Sequence, residues 1–107
     1  MNRQDLRKIM RGVSVAVPTP FDSEYKLDLE TAKDLTQWWL EVGLGTSRSM
    51  IKLCSAWGQG PDLSESEWPS LLDTVVQAAG PDTNIMCGLQ SKDTLRTIED
   101  AKKAQDL

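Results

Sequence analysis

Two textures alternate along the chain. Three times, a short apolar run gives way to a longer segment in which apolar residues recur every three or four positions. The first run, Val13-Ser14-Val15-Ala16-Val17, reads as a strand. Pro18-Thr19-Pro20 stops it, because proline lacks the N–H that a central strand donates. A helix is predicted from Asp28, a good N-cap. Leu29, Ala32, Leu35, Trp39 and Val42 form its apolar stripe, Trp38 flanks that stripe, and Gly43 terminates it. Core packing is the expectation for both tryptophans.

A second strand is predicted over residues 49–55. The small-residue loop Ala56-Trp57-Gly58-Gln59-Gly60-Pro61 leads from it to a second helix. Ser64 and Glu67 make an S-x-x-E capping box, in which each side chain satisfies a backbone donor of the other. Trp68, Leu71, Leu72, Val75, Val76 and Ala79 form the buried stripe of that helix. Pro69 removes one intrahelical bond if Ser64 is the cap. Gly80-Pro81 ends the helix. The third strand spans residues 84–89. A third helix follows from about Asp93, with Leu95, Ile98, Ala101 and Ala104 on its inner face. It meets no glycine or other stop signal by Leu107, and its pattern is expected to belong to a longer chain.

Three βα units in succession predict a parallel sheet with crossover helices. A closed (β/α)₈ barrel takes about 250 residues, and this chain has 107. Three strands leave two unpaired edges and a partly uncovered face. The isolated chain is therefore expected to be marginally stable or to associate.

Composition narrows the chemistry. The chain is 39% hydrophobic and 26% charged, enough apolar material for a core, and carries a net charge of −4 with no basic run. Nucleic-acid binding is excluded on that ground. No apolar run approaches the roughly 20 residues of a membrane helix, and no signal h-region follows the polar start. The expectation is a cytoplasmic protein with no membrane partner. Cys54 and Cys87 lie far apart in apolar surroundings and read as reduced core residues. There is no histidine, which removes Ser-His and Cys-His catalysis and the usual zinc sites. Gly58 and Gly60 begin a G-x-G-x-x-G, but Leu63 stands at its third glycine, and no G-K-[ST] occurs. No metal and no cofactor are expected.

The strand C-terminal ends remain, where parallel α/β folds bind ligands. They present Thr19, residues 55–59 and residues 88–91. Each also has a purely structural reading: Thr19 as a turn cap, Ser55 as a strand end, the glycines as suppliers of positive φ. Lys52 lies mid-strand, on the face that alternation gives to Met50 and Cys54. Inside a barrel it would be desolvated, which favours amine chemistry. A structural lysine, paired with a carboxylate or snorkelling outward, is the preferred reading.

The order of these pieces resembles a known family. Gly12 to Asp22 is similar to that family's opening strand, ending in T-P-F as Thr19-Pro20-Phe21. The stretch from Leu27-Asp28 to Glu41-Val42-Gly43 is similar to its first helix. Residues 55–59 fall on its G-T-T-G-E with only Gly58 retained, and Leu63-Ser64 fits the L-S that follows. Gly88 and residues 91–94 resemble its third strand end and helix start. On this series the chain is identified as a divergent member of the dihydrodipicolinate synthase / N-acetylneuraminate lyase family.

The resemblance implies one domain over residues 1–107, an incomplete TIM (β/α)₈ barrel comprising its N-terminal three βα units. It implies a class I aldolase, a lyase whose sixth-strand lysine forms a Schiff base with pyruvate or a similar 2-oxo acid. The imine serves as an electron sink beside the carbon–carbon bond made or broken. That lysine and the family's proton-shuttling tyrosine fall beyond Leu107. No catalytic residue is then expected in this chain, which would be inactive by itself. The partners implied are a small-molecule 2-oxo acid and, for the whole barrel, further copies in a homo-oligomer. Thr19, Ser55, Trp57 and Gly58 would bind substrate. The family's threonine pair is Ala56-Trp57 here, and alanine cannot relay a proton. The substrate carboxylate would fall to Ser55, to backbone N–H groups of residues 58–60, or to the helix start at Ser64. The second reading is a non-catalytic α/β fragment or assembly module.

Overall fold

A computed structural model describes residues 1–46 and 48–107. The elements follow in the order α1 (Arg3–Ile9), β1 (Val13–Ala16), α2 (Leu29–Glu41), β2 (Ser49–Leu53), α3 (Glu67–Ala79), β3 (Ile85–Cys87) and α4 (Thr94–Gln105). Two short 3₁₀ turns, Ala56–Gly58 and Gly60–Asp62, fill the loop between β2 and α3. The sheet is parallel throughout, in the order β1-β2-β3. Ile51 of β2 sits beside Val15 on one side and Ile85 on the other.

The predicted strands exist but are shorter. β1 stops at Ala16, although Val17 still donates to the Lys52 carbonyl at 3.2 Å before Pro18 ends the pairing. β2 stops at Leu53 because Cys54 adopts φ 53°, a left-handed conformation that breaks the extended run. β3 covers three residues only.

Alternation assigns the two sheet faces. Val15, Ile51, Leu53, Ile85 and Cys87 pack toward the helices. Ser14 and Ala16 are exposed on the opposite face, where Met50 is buried. Lys52 lies on that same face, half-buried between Ala16 and Met86 in register. None of the ion pairs among the described residues involves Lys52, so of the two structural alternatives the carboxylate pairing is not made. Cys54 also departs from the alternation, since its backbone turns it into the core beside Leu53.

α2 begins as predicted, with the Asp28 carboxylate accepting from the Thr31 amide at 3.0 Å. Gly43 follows it at φ 93°. Its buried face is Ala32, Thr36 and Trp39. Thr36 fills the turn between the other two and donates its hydroxyl to the Ala32 carbonyl at 2.7 Å, so burying it leaves no unmet donor. Two assignments are corrected. Val42 is exposed because it lies past the last helical turn, and Trp38 is 56% exposed, one helical step away from buried Trp39.

The capping box forms. Ser64 N–H donates to Glu67 Oε1 at 2.9 Å, and Glu67 N–H donates to Ser64 Oγ at 3.2 Å. Regular helix starts only at Glu67, which places Pro69 in the first turn, where a missing N–H costs no bond. Trp68, Leu71, Leu72 and Val75 are buried, and Val76 and Ala79 are half-buried.

α4 starts at its predicted cap, with Asp93 accepting from the Arg96 amide at 2.8 Å. Its inner face is different from the one expected. Leu95 is 75% exposed and Ile98 is exposed, while Arg96, Thr97, Asp100 and Ala104 take the half-buried side. The helix packs on α3 through its Ala104 side, which leaves Leu95 and Ile98 turned away. α1 was not predicted. It buries nothing, and its sequence signal is an Asn2 cap that accepts from the Gln4 and Asp5 amides.

Candidate functional site at the strand ends

Three of the four predicted substrate-binding residues come together where β1 and β2 end. The Pro18-Thr19-Pro20 segment cannot continue β1, so it turns across the loop that follows β2. Thr19 is buried there and donates its hydroxyl to the Gly58 carbonyl at 2.6 Å. Its amide donates to Gln59 Oε1 at 3.1 Å. Gly58 is seated so close to the Val17 carbonyl that an added Cβ would overlap it. Only glycine brings the two segments to this separation.

Ser55 anchors the loop. Its carbonyl accepts from the Gly58 amide at 3.0 Å and the Gly60 amide at 2.9 Å. Its side chain is 3% exposed, and among the described residues its Oγ has no hydrogen-bond partner. A buried hydroxyl without a partner forgoes about 1–3 kcal/mol of hydrogen bonding, a cost that a bound acceptor at this strand end would recover. Trp57 belongs to the same turn but stands apart from the other three. It is 89% exposed, and its indole joins no packing.

Gln59 lies within the stretch 55–59 expected at the strand ends, with no binding role expected for it. It holds the Thr19 amide from a left-handed backbone position, φ 60°. Its position on the last residue of the G-T-T-G-E pattern was the available signal. After β3, the Gln90 amide group donates to the Cys54 carbonyl at 2.9 Å, and Gly88 packs against the backbone of Cys54 and Ser55. The ends of all three strands are thus fastened to the residues that follow β2.

A separate cavity of about 310 Å³ opens between the starts of α3 and α4, bordered by Cys54, Leu63, Trp68, Gly88 and Arg96. Arg96 crosses it, bonded to Glu65 at 2.8 Å and to Asp100 at 3.5 Å, and Ser91 Oγ donates to Asp100. Thr19, Ser55 and Trp57 do not line this cavity. No described helix is long and apolar enough to cross a membrane.

Comparison with known proteins places this arrangement. The chain is 33% identical over 96 residues to a 4-hydroxy-tetrahydrodipicolinate synthase of Chlorobium chlorochromatii strain CaD3, covering 90% of this chain and 31% of that protein. It is 35% identical over 92 residues to the synthase of Prochlorococcus marinus strain MIT 9211, covering 86% of this chain and 29% of that one. Among solved structures, a dihydrodipicolinate synthase family protein from Coccidioides immitis superposes with TM-score 0.81 at 25% identity, over 94% of this chain and 32% of the other. A catalytic-lysine mutant of sialic acid aldolase from Ruminococcus gnavus shares the fold, with TM-score 0.79 over 98% of this chain and 32% of that one. The chain spans about 30% of the length of the curated relatives it matches. The model of the dihydrodipicolinate synthetase family matches residues 9–107, and the chain belongs to that family.

Proposed function

We propose that this chain forms the first three βα units of a (β/α)₈ barrel that acts as a Schiff-base lyase on pyruvate or a similar 2-oxo acid. The observation that carries the reading is the fastening of Thr19 to Gly58 at 2.6 Å beside the unpartnered Ser55 hydroxyl. It supplies a preformed polar floor at the strand ends, where barrels of this kind bind substrate. Three relatives bear on the chemistry. Two are named 4-hydroxy-tetrahydrodipicolinate synthase, and one structural neighbour is named as a sialic acid aldolase with an altered catalytic lysine.

In this reading the Ser55 hydroxyl orients the keto acid, and Thr19 holds Gly58 in place beside it, while the Gly58 and Gly60 amides stay engaged by the Ser55 carbonyl. Trp57 walls the acceptor side of the mouth, and a lysine on a later strand forms the imine. Lys52 serves the scaffold. The whole protein works in the cytoplasm as a homo-oligomer. The residues at 56 and 57 carry no hydroxyl, so the proton relay of this member runs through other groups.

Borohydride trapping with pyruvate tests the reading. A pyruvate adduct is expected on the protein carrying the further βα units, on a strand lysine, and none on Lys52. Absence of any adduct overturns the Schiff-base assignment, and an adduct on Lys52 overturns its scaffold role. Trp57→Ala is expected to change KM or the range of acceptors. An unchanged kinetic profile removes Trp57 from the mouth.

A further inference from the structure

Cys54 and Cys87 are 33 positions apart in sequence and adjacent in the fold. The register sets Leu53 beside Cys87, so Cys54 is one residue beyond the paired position. Neighbouring strands lie about 4.8 Å apart with a rise of about 3.3 Å per residue, which puts the two Cα atoms about 5.8 Å apart. Disulfides span about 4.4–6.8 Å between Cα atoms.

Separation alone does not suffice, because an extended Cys54 would point to the face of Met50 and Lys52, away from Cys87. The left-handed backbone at Cys54, φ 53°, removes that obstacle. It turns the side chain into the helix-side core, where Cys87 packs against it. Cys54 is part of the buried core against which Cys87 packs, and both thiols are free. We propose that Cys54 and Cys87 form a reversible disulfide that fastens the loop after β2 to the end of β3.

The chemistry proceeds in two balanced steps with a peroxide as oxidant. The Cys87 thiolate attacks one peroxide oxygen and the O–O bond breaks. Protonation of the departing oxygen releases water, and Cys87 is left as a sulfenic acid. Cys54 sulfur then attacks the Cys87 sulfur, the S–O bond breaks, and the Cys54 proton leaves with the hydroxyl as a second water. Two thiols are oxidised by two electrons, and one peroxide is reduced.

The surroundings assign these roles. Cys87 is half-buried and borders an apolar groove of about 360 Å³ between α3 and α4. As a thiol it donates to the Gly88 carbonyl at 3.5 Å. Once ionised, it accepts from the Cys54 thiol, and that bond holds Cys87 below the usual thiol range against the opposing effect of burial. The same contact, with burial, pushes Cys54 up, so Cys87 ionises first and Cys54 is left to the second step. A bond so made ties Ser55, Gly58 and Gly60 to β3 covalently through their neighbour Cys54.

Treatment of the full chain with hydrogen peroxide, alkylation under denaturing conditions and peptide mapping test this. The expected result is parallel loss of both thiols, one intramolecular Cys54–Cys87 peptide, an intact mass lower by two hydrogens, and full reversal by dithiothreitol. Amide exchange at Gly58 and Gly60 should slow in the oxidised form. Cys87→Ser should leave Cys54 as a free thiol under the same treatment. Overoxidation of Cys87 with Cys54 still reduced, or dimers linked through Cys87, overturns the disulfide. A disulfide that leaves the two amides exchanging at the same rate overturns the fastening.

Discussion

Thr19→Val isolates the bond that joins the two halves of the candidate site. Valine has nearly the volume of threonine, so no cavity forms, and the backbone bond from residue 19 to Gln59 is retained. What goes is the hydroxyl that lies 2.6 Å from the Gly58 carbonyl. Among the described residues that carbonyl has no other donor. A typical neutral hydrogen bond contributes about 0.5–1.5 kcal/mol, and leaving its buried partner unsatisfied raises the cost to about 1–3 kcal/mol. Thr19→Ser keeps the hydroxyl and sheds one methyl, worth about 0.8 kcal/mol of burial. The expected order of stability is therefore threonine, then serine, then valine. Urea titration followed by far-UV circular dichroism gives the midpoints, and an unchanged slope certifies that the native state alone was altered. A valine variant as stable as the parent, or more stable than the serine variant, refutes the assignment of Thr19 as the clasp of the strand ends.

Two further perturbations read other parts of the same loop and of α2. Gly60→Ala sets a methyl against the Cys54 carbonyl, which is backbone and cannot rotate away. The expected cost is about 1–3 kcal/mol, seen as a lowered thermal midpoint. Gly43→Ala, at φ 93° with open space around it, should cost only the left-handed penalty of about 1–2 kcal/mol, and a harmless Gly60→Ala would contradict the packing described. Asp28 accepts from the Thr31 amide and hydroxyl, and these bonds hold its carboxyl below the usual carboxylate range. A group lowered on folding stabilises above its unfolded pKa and loses that stabilisation as pH falls through its folded pKa. Helix α2 should thus weaken on acidification below about pH 4. Asp28→Asn should flatten that limb, and acid profiles that superimpose would sink the linkage.

What was legible in the sequence follows what is local. Helix starts were readable because a cap is a contact between residues three apart, as at Asp28, Ser64 and Asp93. The stop of β1 was readable because proline carries its own reason. The helix faces were legible only in part. Periodicity finds the apolar side of a helix, but burial depends on whether a neighbour stands there. Trp39 faces the sheet, whereas Trp38 does not, and Leu95 and Ile98 form a sound stripe with nothing beside it. Thr36 went unnoticed because a hydroxyl that bonds its own helix backbone behaves as an apolar residue in the core.

The site divides along the same line. Thr19, Ser55 and Gly58 could be placed at strand ends, since parallel topology alone sends them there. That Thr19 would clasp Gly58, across 39 positions, depends on the distance between two loops, which no local pattern encodes. Cys54 shows the limit most sharply. Strict alternation sends it to the face of Lys52, and a single left-handed residue sends it to the opposite side, beside Cys87. The same backbone turn ends β2 and starts the loop that carries Ser55, Trp57 and Gly58. One conformational departure therefore both delivers the candidate site to the mouth of the strands and brings the two thiols within bonding reach. This coupling ties any oxidation of the pair to the geometry of the loop.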